Sequence, residues 1–195
     1  MAERWFRIDG EPEGERTLAE QMKGLGGALD GCCGKTVVDF GCAEGLIAQQ
    51  FAQAGAKSVF GIEYNPALFA VAQRLERAHA ETGWHNLHFQ LADIRTVMKQ
   101  ERESGEIWRY DIVLALAVIH KLPDPADAAT FMADVTGELL VVRLPKGSSG
   151  AFKGKNWPWA GCDLNTILPS RGLKLDTVAK GPRGEQVQYW RRAPR

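Results

Sequence analysis

The stretch VVDFGCAEGLIAQQ, residues 37 to 50, constrains the fold more than any other part of this chain. A β-branched run ends in an acid, glycines follow at 41 and 45, and an apolar helical pattern begins at once. Such a run reads as a buried strand that delivers Asp39 to its carboxyl end. Gly41 and Gly45 permit a sharp turn and a close approach of a ligand to the backbone, while the helix start turns free N–H groups toward the same edge. Leu46, Ile47 and Phe51 share a helical face, and Gly55 closes it.

The alternation continues downstream. Ser58 to Ile62 reads as a second strand, and Asn65-Pro66 as a helix entry: Asn accepts an orphan N–H, and Pro gives up one that had no intrahelical partner. Leu68, Val71, Ala72, Leu75 and Ala78 mark the apolar face of that helix. The pattern then predicts a strand over Asn86–Leu91, a helix from Ile94 to Glu103, a strand over Asp111–Ala117, a helix over Asp127–Thr136 shortened by Gly137, and a strand over Leu139–Leu144. Upstream, residues 17 to 29 read as one short helix ending near its glycines.

Five apolar strands separated by helical crossovers imply a mostly parallel sheet covered on both faces, with right-handed connections. A last helix over 161 to 170 precedes strands at Leu173–Ala179 and Glu185–Trp190. The short link between them, with Gly181, Pro182 and Gly184, makes an antiparallel hairpin. At 195 residues the chain holds one core, so a single domain is expected: an N-terminal flap or helix over 1–34, a core over 35–192, and a loop over 145–160 across one end of the sheet.

Charge and cysteine usage narrow the class. The 24 basic and 24 acidic side chains cancel overall, but residues 145–195 carry 10 Lys or Arg against 3 Asp or Glu. That basic third suits an anionic substrate or nucleic acid, and equally the polar exterior of a late helix and two strands. Cys32, Cys33, Cys42 and Cys162 form no CxxC pair, and His85 with His88 lacks companions at ligand spacing, so no metal site is expected. Neither a cleavable leader nor a membrane-spanning apolar run is legible, which makes the expected location cytoplasmic.

The glycine turn fits a dinucleotide poorly, because GCAEG is not the GxGxxG of nicotinamide and flavin sites, and it lacks the Lys-Ser or Lys-Thr ending of a nucleotide P-loop. Two further strand ends sharpen the reading. Glu63 closes the second strand, where an acid accepts hydrogen bonds from ribose hydroxyls. Asp93 closes the third, placed to accept from an adenine amine, with Ile94 as an apolar contact. Each acid alone is equally well read as a solvated strand end or helix cap; the ordered trio favours an adenosine-bearing ligand.

With these residues in place, the chain resembles a class I S-adenosylmethionine-dependent methyltransferase. Asp39-Phe40-Gly41-Cys42-Ala43-Glu44-Gly45 is similar to the family's first motif, with Ala43 where a glycine is usual; Glu63 and Asp93 fall at its ribose and adenine acids; DIVLALAVIHKL, residues 111 to 122, resembles its fourth. The resemblance covers roughly residues 35–192. It implies a Rossmann-like α/β sandwich with a seven-stranded, mostly parallel sheet in the order 3-2-1-4-5-7-6, an antiparallel last strand and helices on both faces. It implies S-adenosyl-L-methionine as donor and S-adenosyl-L-homocysteine as product, held by Asp39, Gly41, Cys42, Gly45, Glu63, Tyr64, Asp93, Ile94 and Ala115.

Transfer from a sulfonium needs the acceptor lone pair in line with the methyl carbon and the leaving sulfur, so positioning matters more than acid–base groups. His120 is the candidate base near the transfer point; a wall histidine is the competing reading. Trp5, Arg7, Arg143, Lys146, Lys153 and Trp157 are the candidate acceptor contacts, an aromatic and basic set suited to a small molecule or a glycan or lipid intermediate. RNA or DNA methylation and a non-catalytic donor-binding protein are the alternatives. Oligomeric state is not legible.

Overall fold

A computed structural model describes residues 16–105, 108–145 and 162–193. Strand β1 (Thr36–Phe40) lies inside a seven-stranded sheet; β2 (Ser58–Glu63) and β3 (Leu87–Leu91) extend it one way, and β4 (Tyr110–Leu116), β5 (Thr136–Leu144), β7 (Gln186–Arg192) and β6 (Leu173–Lys180) the other. The order is 3-2-1-4-5-7-6, with β1 to β5 parallel and β7 antiparallel to both its neighbours. This is the sandwich the resemblance implied.

Strand parity divides the interior. Val38, Phe40, Val113, Ala115, Leu140 and Val142 face one layer, packed with α5 (Ile94–Ser104), α6 (Pro125–Asp134) and α7 (Leu164–Ser170). Val37, Ile112, Leu114, Leu139 and Val141 face the other, under α2 (Gly26–Asp30) and α3 (Leu46–Gln53). Helix α4 (Pro66–Glu81) covers β3 beside α3. Its start is as expected: Asn65 Oδ1 accepts from Ala67 N at 2.9 Å, with Pro66 in the first turn. Burying each large apolar side chain of these layers contributes roughly 1.5–3 kcal/mol.

The short helix expected to end near the glycines of 17–29 is α1 (Leu18–Gln21), and a second, α2, follows it unannounced; between them Gly24 has φ +81° and a Cβ there would sit 2.9 Å from the Lys180 carbonyl oxygen. Gly137 does not shorten a helix. Helix α6 ends at Asp134, and Gly137 lies inside β5, where a Cβ would meet the Tyr110 carbonyl oxygen at 3.0 Å beside the irregular register of β4 and β5.

Among the described residues no helix is long and apolar enough to cross a membrane, and no cluster of three or more His, Cys, Asp or Glu is placed to hold a metal ion.

Candidate functional site

The carboxyl ends of β1, β2, β3 and β4 open on one cavity of about 560 Å³, within the size range of small-molecule sites, roughly 300–1,000 Å³. Asp39, Gly41, Glu63 and Asp93 all line it. The convergence follows from strand order: β1 is the pivot from which the sheet is built in both directions, and loops there part to leave a crevice.

The loop after β1 is shaped by its glycines and by one carboxylate. Gly41 N and Cys42 N both donate to the Ile62 carbonyl, at 2.8 and 3.1 Å, carrying the chain across the end of β2. Gly41 has φ +75°, and a Cβ on it would lie 2.9 Å from Val118 Cγ2. Glu63, 4% exposed, accepts Ala43 N on Oε2 at 3.0 Å and Asn65 N on Oε1 at 2.8 Å, so it ties together the two loops that border the cavity. An ionised carboxylate has about four acceptor sites, so both oxygens retain capacity for a ligand hydroxyl.

Ala43, standing where the first motif usually has glycine, keeps a left-handed φ of 52°, and Ala117 after β4 has φ 58°. Both line the cavity. Left-handed backbone in a non-glycine residue stores strain, and such residues concentrate at binding sites.

One end of the cavity is polar and buried. Asp39 on β1 and Arg143 on β5 share a sheet face by register, through Asp39↔Leu114↔Val141 and Leu116↔Arg143. Burial pushes Asp39 up to about 7 against the pull of Arg143, with Glu63 adding to the rise. Arg143, 3% exposed and lowered by burial to about 10, donates from Nη1 to Gln21 Oε1 at 2.7 Å and from Nη2 to the Gln21 carbonyl. Glu185 lies 3.8 Å from Arg143 Nε and accepts from Arg16 Nη2 at 3.1 Å. Arg16 and Gln21 line this same end, which no motif in the sequence announced.

At the opposite end Asp93 caps α5, its Oδ1 accepting from Arg95 N at 2.8 Å, and it also holds the Arg95 guanidinium, with Nε at 3.0 Å from both oxygens. Arg95 keeps the Asp93 carboxyl below its ordinary range. Ile94, Tyr64, Asn65, Leu68, Leu122 and Pro123 complete this end.

Several expected contacts are placed elsewhere. Ala115 is fully buried in the layer under α5 and α6, because its parity turns it away from the cavity; Leu116 and Ala117 line it instead. Gly45 is not on the lining. It is the left-handed residue, φ 83°, before α3, where a Cβ would meet the Phe89 ring at 2.4 Å. Gly61 passes under the same ring, also at 2.4 Å, a constraint invisible without knowing that β3 pairs with β2. Cys42 lines the cavity with its thiol pushed up by burial.

His120 differs from the expected base poised near neutral pH. It lies in a single 3-10 turn, Ile119–Lys121, and the lining includes Val118 and Lys121 on either side of it but not His120. Burial, with Lys121 adding to it, lowers it to about 4, which leaves a neutral imidazole of weak basicity. Arg143 is a wall residue engaged by Gln21 rather than a hand extended to an acceptor. Trp5, Arg7, Lys146, Lys153 and Trp157, with nearly all of the 145–160 loop, lie outside the described residues.

Residues 33–142, more than half of the chain, match the family model described as a methyltransferase domain. The ubiquinone biosynthesis O-methyltransferase of Idiomarina loihiensis is 30% identical over 126 residues, covering 64% of this chain and 48% of the relative. The chain thus spans about half the length, or less, of the curated relatives it matches. Magnesium protoporphyrin IX methyltransferase from Synechocystis, solved with bound SAH, superposes with a TM-score of 0.65 at 19% identity, over 93% of this chain and 90% of that one. The 4+2 cyclase SpnF superposes with a TM-score of 0.64 at 18% identity, over 97% and 86%. At such identities the likeness is one of fold.

Proposed function

The chain belongs to the class I S-adenosylmethionine-dependent methyltransferase family, and from that membership we propose that it transfers a methyl group from S-adenosylmethionine to an oxygen or nitrogen of a small molecule. The observation that carries this reading is the meeting of Gly41, Glu63 and Asp93 on one cavity.

The residues fit the donor part by part. Glu63 has acceptor capacity left on both oxygens for ribose hydroxyls, and Gly41 has no side chain where one would strike Val118 and narrow the crevice. Asp93 and Ile94 suit the amino edge and face of adenine. Asp39 with Arg16 and Gln21 makes a mixed-sign end suited to an amino-acid zwitterion. When bound, the donor supplies a methyl carbon on a positively charged sulfur leaving group. The chain's part is to hold it extended, keep water from its reactive side with Leu116, Ala117 and Val118, and leave that carbon open to the acceptor. In this reading His120 stiffens the wall between Val118 and Lys121.

Support for a small acceptor comes from relatives named for ubiquinone biosynthesis and magnesium protoporphyrin IX. RNA or DNA methylation draws on the basic final third. Among its described cations, however, Arg171 is held by Asp134 at 2.7 Å, Arg191 by Asp176 at 3.0 Å, and Arg192 donates to the carbonyls of Thr136 and Ala133. A protein that binds the donor without transferring it, or one that has turned the fold to other chemistry as the cyclase has, remains the third reading.

Calorimetry with S-adenosylmethionine, S-adenosylhomocysteine and NAD tests the site: binding of the first two and not the third is expected, and preferential NAD binding would reject it. Labelled donor incubated with separated metabolite, protein and RNA fractions should place label in the metabolites. Label confined to RNA would replace the acceptor assignment, and no label in any fraction would favour the non-catalytic reading.

A further inference from the structure

We propose that Arg95 is a positioning residue that makes the nucleobase end of the cavity selective for a 6-amino over a 6-oxo purine. The proposal rests on the reading of this cavity as an adenosyl site.

The geometry is that of a locked acceptor. Asp93 Oδ1 receives Arg95 N at 2.8 Å and Nε at 3.0 Å, and Oδ2 receives Nε at 3.0 Å and Nη2 at 2.5 Å. Three N–H groups therefore occupy the carboxylate, one of them shared equally between its oxygens, so of about four acceptor sites roughly one is left over. With the fork of the guanidinium on one side and the helix amide on the other, the carboxylate plane cannot turn freely. Both Asp93 and Arg95 line the cavity, and in this proposal the remaining acceptor capacity of Asp93 serves its nucleobase end. An acceptor held in that state accepts a hydrogen bond from an exocyclic amine and repels a carbonyl oxygen.

The pair is a local device rather than a stabilising one. Arg95 is 63% exposed at its side chain and Asp93 33%, and ion pairs at such exposure contribute little to folding. Arg95 can therefore be replaced without loss of the fold, which makes its effect on recognition separable. A site built to hydrogen-bond one substrate group discriminates against the analogue lacking it more strongly than apolar fit can.

The test compares S-adenosylhomocysteine with its deaminated analogue, S-inosylhomocysteine, by calorimetry on the intact chain and on Arg95→Ala and Arg95→Gln. The unaltered protein should favour the amino form by at least roughly thirtyfold, and both variants should lower that ratio about fivefold or more, chiefly by weakening S-adenosylhomocysteine, at unchanged melting temperature. Tight S-adenosylhomocysteine binding with a ratio that is unchanged or raised in the variants would overturn the role of Arg95 alone. Binding of neither ligand by the unaltered chain would overturn the adenosyl-site reading and this role with it.

Discussion

The Ala43 amide donates to Glu63 Oε2 at 3.0 Å, while Glu63 Oε1 takes the Asn65 amide at 2.8 Å, so one carboxylate at the end of β2 holds both loops that frame the cavity. Replacing Glu63 with Gln leaves an NH2 where an acceptor is needed, and one buried backbone amide loses its partner. The expected loss is about 1–3 kcal/mol of stability together with at least a tenfold fall in donor affinity. Thermal unfolding and calorimetry on Glu63→Gln check both; donor affinity equal to that of the unaltered protein would show that Glu63 does not meet the ligand.

Gly41→Ala combines two penalties of different origin, a left-handed φ of +75° and a Cβ at 2.9 Å from Val118 Cγ2. We expect a destabilisation of about 2–5 kcal/mol, from roughly 1–2 for the backbone and 1–3 for overpacking. Adding Val118→Ala removes the 2.9 Å contact, leaving Val118 Cβ at 3.3 Å and the backbone cost. The pair should thus recover part of the melting temperature, and full recovery would mean that φ at 41 relaxes.

Arg143 anchors the N-terminal segment to β5 through Gln21 and lies between the acids Asp39 and Glu185. Arg143→Met takes the buried cation from beside Asp39 and leaves Glu185 with Arg16, a change of about 3–5 kcal/mol when one member of a buried charged set is removed. Urea unfolding should register that loss, and donor affinity should fall because Gln21 loses its seat. A variant as stable as the parent would show that this buried site does not depend on the Arg143 cation.

Asp39 and His120 give opposing pH dependences in the ligand-free protein. Asp39 is raised from 3.8 to about 7, so the folded state keeps its proton where the unfolded state has lost it, and stability falls as pH rises from about 4 to 7. His120 is lowered from 6.5 to about 4, so its contribution is present above 6.5 and is lost as pH falls toward 4. Asp39→Asn should abolish the loss on the alkaline side, and His120→Asn the loss on the acid side, in unfolding measured at intervals from pH 4 to 8. If Asp39→Asn parallels the parent throughout, the carboxyl is not held protonated.

The same value for His120 makes a kinetic prediction. The turnover–pH profile of the active enzyme should show no inflection near 6–7 that disappears in His120→Asn. Such an inflection, present in the parent and absent in the variant, would restore His120 as the base.

Much of the fold was legible because burial imposes periodicity on a chain. The run Val37–Phe40, the Asn65-Pro66 entry and the spacing of Leu68, Val71 and Ala72 identify strand, cap and helix face with no knowledge of neighbours. The cavity residues Gly41, Glu63 and Asp93 were legible for the same reason, since each stands at or within two residues of the carboxyl end of a strand. Residues that failed to read were those whose role depends on a partner far away in sequence: Gly24 against Lys180, Gly137 against Tyr110, and Gly61 under Phe89.

What the sequence determined by itself is the order of elements and the acids and glycines at their carboxyl ends, because local patterning decides which segments are strands and where each stops. The tertiary structure alone decided which side chains share a space. It turned Ala115 away by the two-residue repeat of a strand, set His120 behind the wall, and brought Arg16 and Gln21 to Asp39. Sheet register and the docking of the N-terminal segment, rather than any spacing along the chain, bring these groups to one cavity.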